Sequence, residues 1–196
     1  MRRSKLEAAQ TREAIVAAAA NLIRRTGIAE ASLADMMAAA GLTHGGFYRH
    51  FRDKEQLVSE ALAAAGRKAI AFISRHIAQG GLNAVVDGYL CKSHRDSPTP
   101  ICPIAALGSE MGRSGKETKV AATQFLEKIF ATLAGDMPDR EEARGAAIVV
   151  LSTMIGAMTL ARVVADADLS SEILDRVKDH LHRESPLANG GFWAPK

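Results

Sequence analysis

A chain of 196 residues with 47% hydrophobic content can bury a substantial core without disulfides or metals, which makes a folded soluble protein the starting expectation. The net charge of +3 does not by itself announce a nucleic-acid binder, yet residues 1–80 hold 12 Lys and Arg against 7 Asp and Glu while residues 81–196 hold 13 against 15, so positive charge gathers at the front. Two cysteines, Cys91 and Cys102, exclude a disulfide scaffold, and without a stretch resembling a secretory signal the expected setting is reducing and cytoplasmic.

In chain order, the composition favours helix throughout and no segment alternates apolar and polar residues for long enough to make a strand, so the expected class is all-α. A first helix is expected from about Thr11 to Thr26, with Ile15, Ala18, Ala19, Leu22 and Ile23 on one face and Gly27 as its C-terminal cap. Ser32 with Asp35 opens a second, striped by Leu33, Met36, Met37 and Ala40 and ended by Gly41. Thr43 is expected to cap a third of about eight residues, anchored by Phe47 and Phe51. Asp53 with Gln56 starts a long fourth helix to about Gln79, where Gly80 and Gly81 break the chain.

Further on, a short helix around 82–90 leads into a proline-rich loop at 93–103. Helices then follow at about 104–111 and 116–134, the latter opened by Ser114 and Glu117. Asp139 with Glu142 is expected to cap a helix reaching about Ala165, and Ser170 or Ser171 to open a last one. The uncharged run between Arg144 and Arg162 falls just short of the roughly 18 apolar residues of a membrane span. It reads as a buried helix, and no membrane partner is expected. The implied division is a helix-turn-helix domain at 1–54, a ligand-binding and dimerisation domain at 55–184, and a flexible tail at 185–196.

Two short helices around a glycine turn, followed by a long helix, are the layout of a helix-turn-helix whose second member enters the major groove. The outward residues of that member are small, polar or cationic: Thr43, His44, Gly45, Gly46, Tyr48, Arg49 and His50. Gly45 and Gly46 each cost a helix roughly 1 kcal/mol relative to alanine. That cost points to close backbone approach to a surface such as DNA.

The string from Ala40-Gly41-Leu42-Thr43-His44-Gly45-Gly46-Phe47-Tyr48 through Arg49-His50-Phe51-Arg52-Asp53-Lys54 to Glu55-Gln56-Leu57 resembles the recognition segment of TetR-family repressors. Upstream, Thr11-Arg12-Glu13-Ala14-Ile15, Gly27 and Ser32-Leu33-Ala34-Asp35 resemble that family's first two helices, so the likeness covers about residues 8–60. It implies a homodimer of about nine helices per chain bound to an operator. By that likeness Thr43, Tyr48, His50 and Lys54 hold phosphates, His44 and Gly45 lie at base edges, and Arg2, Arg3 and Lys5 form an arm along the backbone or in the minor groove; Ser32, Gly46 and Arg49 complete the expected DNA face. The chain departs from the family where His44 and the two glycines stand in place of longer polar side chains, so indirect readout is expected to share in specificity.

For the rest of the chain, Phe72, Cys102, Leu107, Met111, Phe125, Ile129, Met154 and Met158 form a methionine and aromatic set suited to an adaptable pocket for a small apolar or aromatic inducer. Ordinary core is the competing reading. A dimer interface is expected from Ile148, Leu151, Ile155 and Gly156 on one helix with Leu174, Val177 and Leu181 on the last. Cys91, His94 and Cys102 lack the paired spacing of a zinc site, so no metal and no cofactor are expected. Cys102 before Pro103 sits where a helix dipole lowers a thiol pKa, which makes oxidant or electrophile sensing the alternative to an ordinary pocket residue. A Cys102–His94 nucleophile lacks an orienting third group or an oxyanion motif, so no enzyme is expected. The expected mechanism is repression at a pseudo-palindromic operator, with a ligand acting through the fourth helix as a lever to change the spacing of the two reading heads.

Overall fold

The computed structural model describes residues 5–135 and 140–184, and these contain only helices and their connections. In chain order they are α1 (Lys5–Thr26), α2 (Leu33–Ala39), a 3-10 helix (His44–Arg49), α3 (Lys54–Tyr89), α4 (Lys92–Arg95), α5 (Pro103–Arg113), α6 (Lys116–Ala134), α7 (Arg140–Val163) and α8 (Ala167–Glu184). Arg2, Arg3, Asp139 and the tail from 185 lie outside the described residues.

Local chemistry sets most boundaries. α1 begins six residues before the expected Thr11 and ends where Gly27, at φ 95°, donates its N–H to the Ile23 carbonyl at 2.8 Å. Ser32 and Asp35 form a reciprocal capping box at the start of α2. Gly41, at φ 72°, closes α2 in a Schellman motif, with Gly41 N–H on Ala38 O and Leu42 N–H on Met37 O. α3 starts on Asp53, whose Oδ1 accepts from Gln56 N at 2.8 Å, and is interrupted at Gly80 and Gly81, where the backbone leaves helical angles.

Several starts differ from expectation because a distant or neighbouring group takes the capping role. Thr43 precedes the 3-10 helix without a side-chain cap. Ser114 turns its hydroxyl back onto the Glu110 carbonyl, and the Glu117 N–H at the head of α6 is instead capped by Glu55. α8 opens at Ala167, three residues before Ser170, because Asp166 Oδ1 accepts from the N–H groups of Asp168 and Leu169. The proline-rich segment includes the single turn α4, and Pro103 is the first residue of α5.

The compact units do not follow the expected 1–54 and 55–184 division. One comprises residues up to Arg67 together with Cys102–Phe125, the other Lys68–Ile101 together with the chain from Leu126. In the first unit α1, α2, the 3-10 helix, the start of α3 and α5 share one core, in which Ile15, Ile23, Met36, Met37, Phe47, Phe51 and Leu57 meet Leu107 and Met111. In the second, α7 packs on α8 and on α4. Arg162 of α7 donates from Nη2 to the His94 carbonyl at 2.8 Å and from Nε to that of Arg95 at 3.1 Å, while Arg95 reaches Ser170 of α8 at 2.9 Å.

His94 is buried, its Nδ1 2.7 Å from the Tyr89 carbonyl and its ring edge-on to that of Tyr89 at 4.6 Å. Burial holds its pKa below the ordinary 6.5; the Tyr89 carbonyl opposes this, and the Arg162 charge adds to it. An unfolded chain takes up this proton more readily than the folded one, so the stability His94 contributes is intact above about pH 6.5 and is lost as pH falls through the folded value. Urea midpoints measured at pH 7.5 and pH 5 are therefore expected to fall more steeply for the natural chain than for His94→Asn. Parallel pH profiles would assign the acid sensitivity to another group.

Between its charged ends α7 has two faces. Ala143, Ala147, Val150, Leu151, Met154, Ala157, Met158 and Ala161 are buried, whereas Ile148, Val149, Leu160 and Val163 are exposed. The stretch Glu141–Val163 is long and apolar enough by length and composition to cross a membrane, more than the charge spacing alone suggested.

Candidate nucleic-acid interface

The reading turn is built from weak local parts fixed by strong tertiary ones. A 3-10 helix has poorer hydrogen-bond geometry than an α-helix, and two adjacent glycines lower its intrinsic stability further. Its backbone bonds are short-range: Gly46 N–H to Thr43 O at 3.2 Å and His50 N–H to Phe47 O at 2.9 Å. Phe47 supplies the anchor. It is fully buried, stacks on Phe51 at 5.6 Å, and meets the Tyr48 ring edge-on at 5.1 Å.

Around that anchor Thr43, His44, Gly45, Tyr48 and Arg49 are exposed, and Gly46, His50 and Lys54 are half-buried. Tyr48 is 69% exposed, the side chain of an amphipathic aromatic held outward by its buried neighbour. A Cβ at Gly45 would meet nothing within 4 Å, and one at Gly46 only the Met37 methyl at 3.7 Å. Nothing among the described residues therefore requires these two glycines. Ser32, also expected on the DNA face, is exposed but committed to its cap, its Oγ donating to Asp35 Oδ2 at 2.5 Å and accepting from Asp35 N at 3.1 Å. Lys5 is exposed at the start of α1.

Residues that sequence reasoning left out hold this turn. Arg12 of α1 places its guanidinium 4.6 Å over the Phe51 ring, donates from Nε to the His50 carbonyl at 3.3 Å, and pairs with Glu60 at 2.6 Å. Glu110 of α5 accepts from the Ala29 N–H at 2.8 Å in the connection between α1 and α2. Arg52 bonds to Asp53 and to Glu117 of α6, and Glu55 accepts from the Glu117 N–H at 3.0 Å. A Cβ at Gly115 would run into the Glu55 carboxylate, so a side chain there would displace that carboxylate from the Glu117 N–H. Arg24, in the last turn of α1, is buried and bonded to Ala20 O and Asn21 Oδ1.

The expected pocket and interface sets are redistributed. All eight pocket residues are buried, but Leu107 and Met111 belong to the core beneath the reading turn, and Phe125 packs against Gly66, where a Cβ would lie 2.7 Å from its ring. Cys102 is buried in that same unit, which withholds its thiol from solvent oxidants. Phe72, Ile129, Met154 and Met158 belong to the other unit, where Phe72 packs on His76 at 4.0 Å between ring centroids. Of the expected interface residues, Leu151, Leu174 and Leu181 are buried within the chain, Ile155 and Val177 are half-buried, and Ile148 and Gly156 are exposed.

A buried-anchor turn presented between capped helices defines a helix-turn-helix DNA-binding transcription regulator. Residues 15–61 match the family model described as bacterial regulatory proteins, tetR family. The chain is 32% identical over 170 residues to the helix-turn-helix-type transcriptional regulator Rv0196 of Mycobacterium tuberculosis, spanning 79% of this chain and 86% of that one. It is 40% identical over 65 residues, 33% of its own length and 31% of the relative's, to the transcriptional repressor BepR of Brucella suis. Among solved structures, a TetR transcriptional regulator from Chloroflexus aurantiacus superposes with a TM-score of 0.72 at 26% identity, covering 93% of this chain and all of that one. The reduced form of NemR from Escherichia coli shares the fold, with a TM-score of 0.74 at 18% identity over 90% of this chain and all of that one. The protein belongs to the TetR family of transcriptional regulators, which are not enzymes.

Proposed function

We propose that this regulator is a cytoplasmic repressor that binds a pseudo-palindromic operator as a homodimer and is released by a small apolar or aromatic ligand. The observation that carries the reading is the exposed row Thr43, His44, Gly45, Tyr48 and Arg49 standing on the buried Phe47. Two such turns, presented about 34–36 Å apart, enter successive major grooves. Tyr48, Thr43, His50 and Lys54 hold phosphates, His44 and Gly45 approach base edges, and Arg2, Arg3 and Lys5 follow the backbone. The likeness to BepR, whose name describes a repressor, supports the sign of regulation.

Dimerisation runs through the exposed face of α7, where Ile148, Val149, Leu160 and Val163 surround Gly156. That apolar face packs on its symmetry mate and not on lipid. The ligand is held by the buried methionine and aromatic side chains of the second unit, Phe72, Met154 and Met158 among them, and favours the form that does not bind operator. Cys102 is an ordinary buried residue in this reading, because its thiol is sequestered.

Fluorescence anisotropy against DNA from the region upstream of its own gene, at several salt concentrations, tests the DNA reading. Tyr48→Ala is expected to raise the operator Kd about tenfold with the thermal midpoint unmoved, since the exposed phenol supports no core. Undiminished binding by Tyr48→Ala would remove Tyr48 from the interface, and a lack of sequence preference at low salt would contradict the operator reading.

A further inference from the structure

The reading turn has little stability of its own, and the contact that fixes its exit comes from a helix that does not itself belong to the helix-turn-helix. Arg12 of α1 makes three different contacts with one guanidinium: a bond from Nε to the His50 carbonyl at 3.3 Å, a stack 4.6 Å over the Phe51 ring, and an ion pair from Nη2 to Glu60 at 2.6 Å. His50 is the residue that ends the 3-10 helix, and Phe51 is the buried anchor immediately after it. Glu60 is held in turn by Gln56 Nε2 at 3.1 Å, and Gln56 Oε1 accepts from the Arg52 N–H at 2.8 Å. The network therefore runs from α1 through the end of the reading turn to the first turns of α3.

We propose that Arg12 is a positioning residue for DNA recognition, fixing the angle at which the His44–Arg49 turn is presented while making no contact with DNA itself. The inference rests on the operator-binding reading above. Its basis is that a planar guanidinium satisfies a carbonyl, a ring face and a carboxylate at once, whereas an ammonium has no planar face to stack and no fixed fork of donors. The carbonyl it meets is the last of the 3-10 turn, so its loss lets His50 and the preceding Tyr48 and Arg49 rotate about the Phe47 anchor. Sequence-specific binding depends on that angle. Charge-driven binding to arbitrary duplex does not.

The test uses the full chain, with the tightest duplex that the natural protein selects from a random pool and an unrelated duplex of equal length. Arg12→Lys is expected to weaken binding to the selected duplex about tenfold while leaving the unrelated duplex within about twofold. The salt dependence of binding should stay unchanged. Glu60→Gln, which leaves Arg12 its stack and its carbonyl bond, is expected to weaken selective binding less than threefold or so. Selective binding by Arg12→Lys equal to that of the natural protein would overturn the proposal. So would equal losses on both duplexes with the salt slope reduced by about 0.9, because that is the signature of a direct phosphate contact. A natural protein that selects no duplex would instead overturn the operator reading itself, an outcome visible before any variant is made.

Discussion

Phe47→Ala is expected to destabilise the protein by about 3–5 kcal/mol and to abolish operator binding. Phe47 has no exposed surface, and it shares one core with Met36 and Met37 of α2, Ile15 and Ile23 of α1, and Phe51. Truncation removes the ring against which Phe51 stacks and Tyr48 rests, leaving a cavity that a helix of six residues with two glycines is poorly able to fill. The short-range backbone bonds of the reading turn and the Arg12 bond to the His50 carbonyl are each worth about 1 kcal/mol and cannot offset that loss. Urea unfolding checks the energy and anisotropy checks the binding. Phe47→Leu, which keeps an apolar side chain of smaller volume, should retain more of both. If Phe47→Ala unfolded at the midpoint of the natural protein, the anchor role would be wrong.

Leu160→Glu is expected to convert a dimer to a monomer and to weaken operator binding at least about a hundredfold, because two linked heads bind together far more tightly than either alone. Leu160 is 56% exposed, Val149 63% and Val163 76%, an apolar row on a helix whose opposite side is already packed inside the chain. Outside Gly145 and Gly156 nothing lies within 4 Å of where a Cβ would stand, so a second helix has room to approach closely. Burying a glutamate in that contact without a partner costs several kcal/mol per protomer, and the symmetry places two of them together. Because Leu160 points away from its own chain, the folded protomer should survive. Equilibrium sedimentation at micromolar concentration separates the outcomes: a Leu160→Glu dimer as tight as that of the natural protein would place the interface elsewhere, and a natural protein that is already monomeric would contradict dimerisation.

The sequence by itself determined the local punctuation and, through it, the class of protein. The Ser32–Asp35 capping box, the Gly41 turn, the Asp53 start of α3 and the break at Gly80 and Gly81 each depend on groups within about five residues of one another, so their chemistry is legible in a string. Phe47 and Phe51, one helical turn apart, were legible as anchors for the same reason. Only the tertiary structure decided which distant groups meet. Glu110 reaches Ala29 across 81 positions in the connection between α1 and α2, and Glu55 reaches Glu117 across 62, where it takes the capping role expected of Ser114. Leu107 and Met111 show periodicity that fits a pocket as well as a core, and it was long-range packing that gave them to the core under the reading turn. α7 is apolar on nearly every side, so its sequence could not say which face the chain consumes. Packing within the chain buries Leu151 and leaves Val149 and Leu160 outside, because helical periodicity sorts residues into faces but the partner that covers a face is chosen by the whole fold.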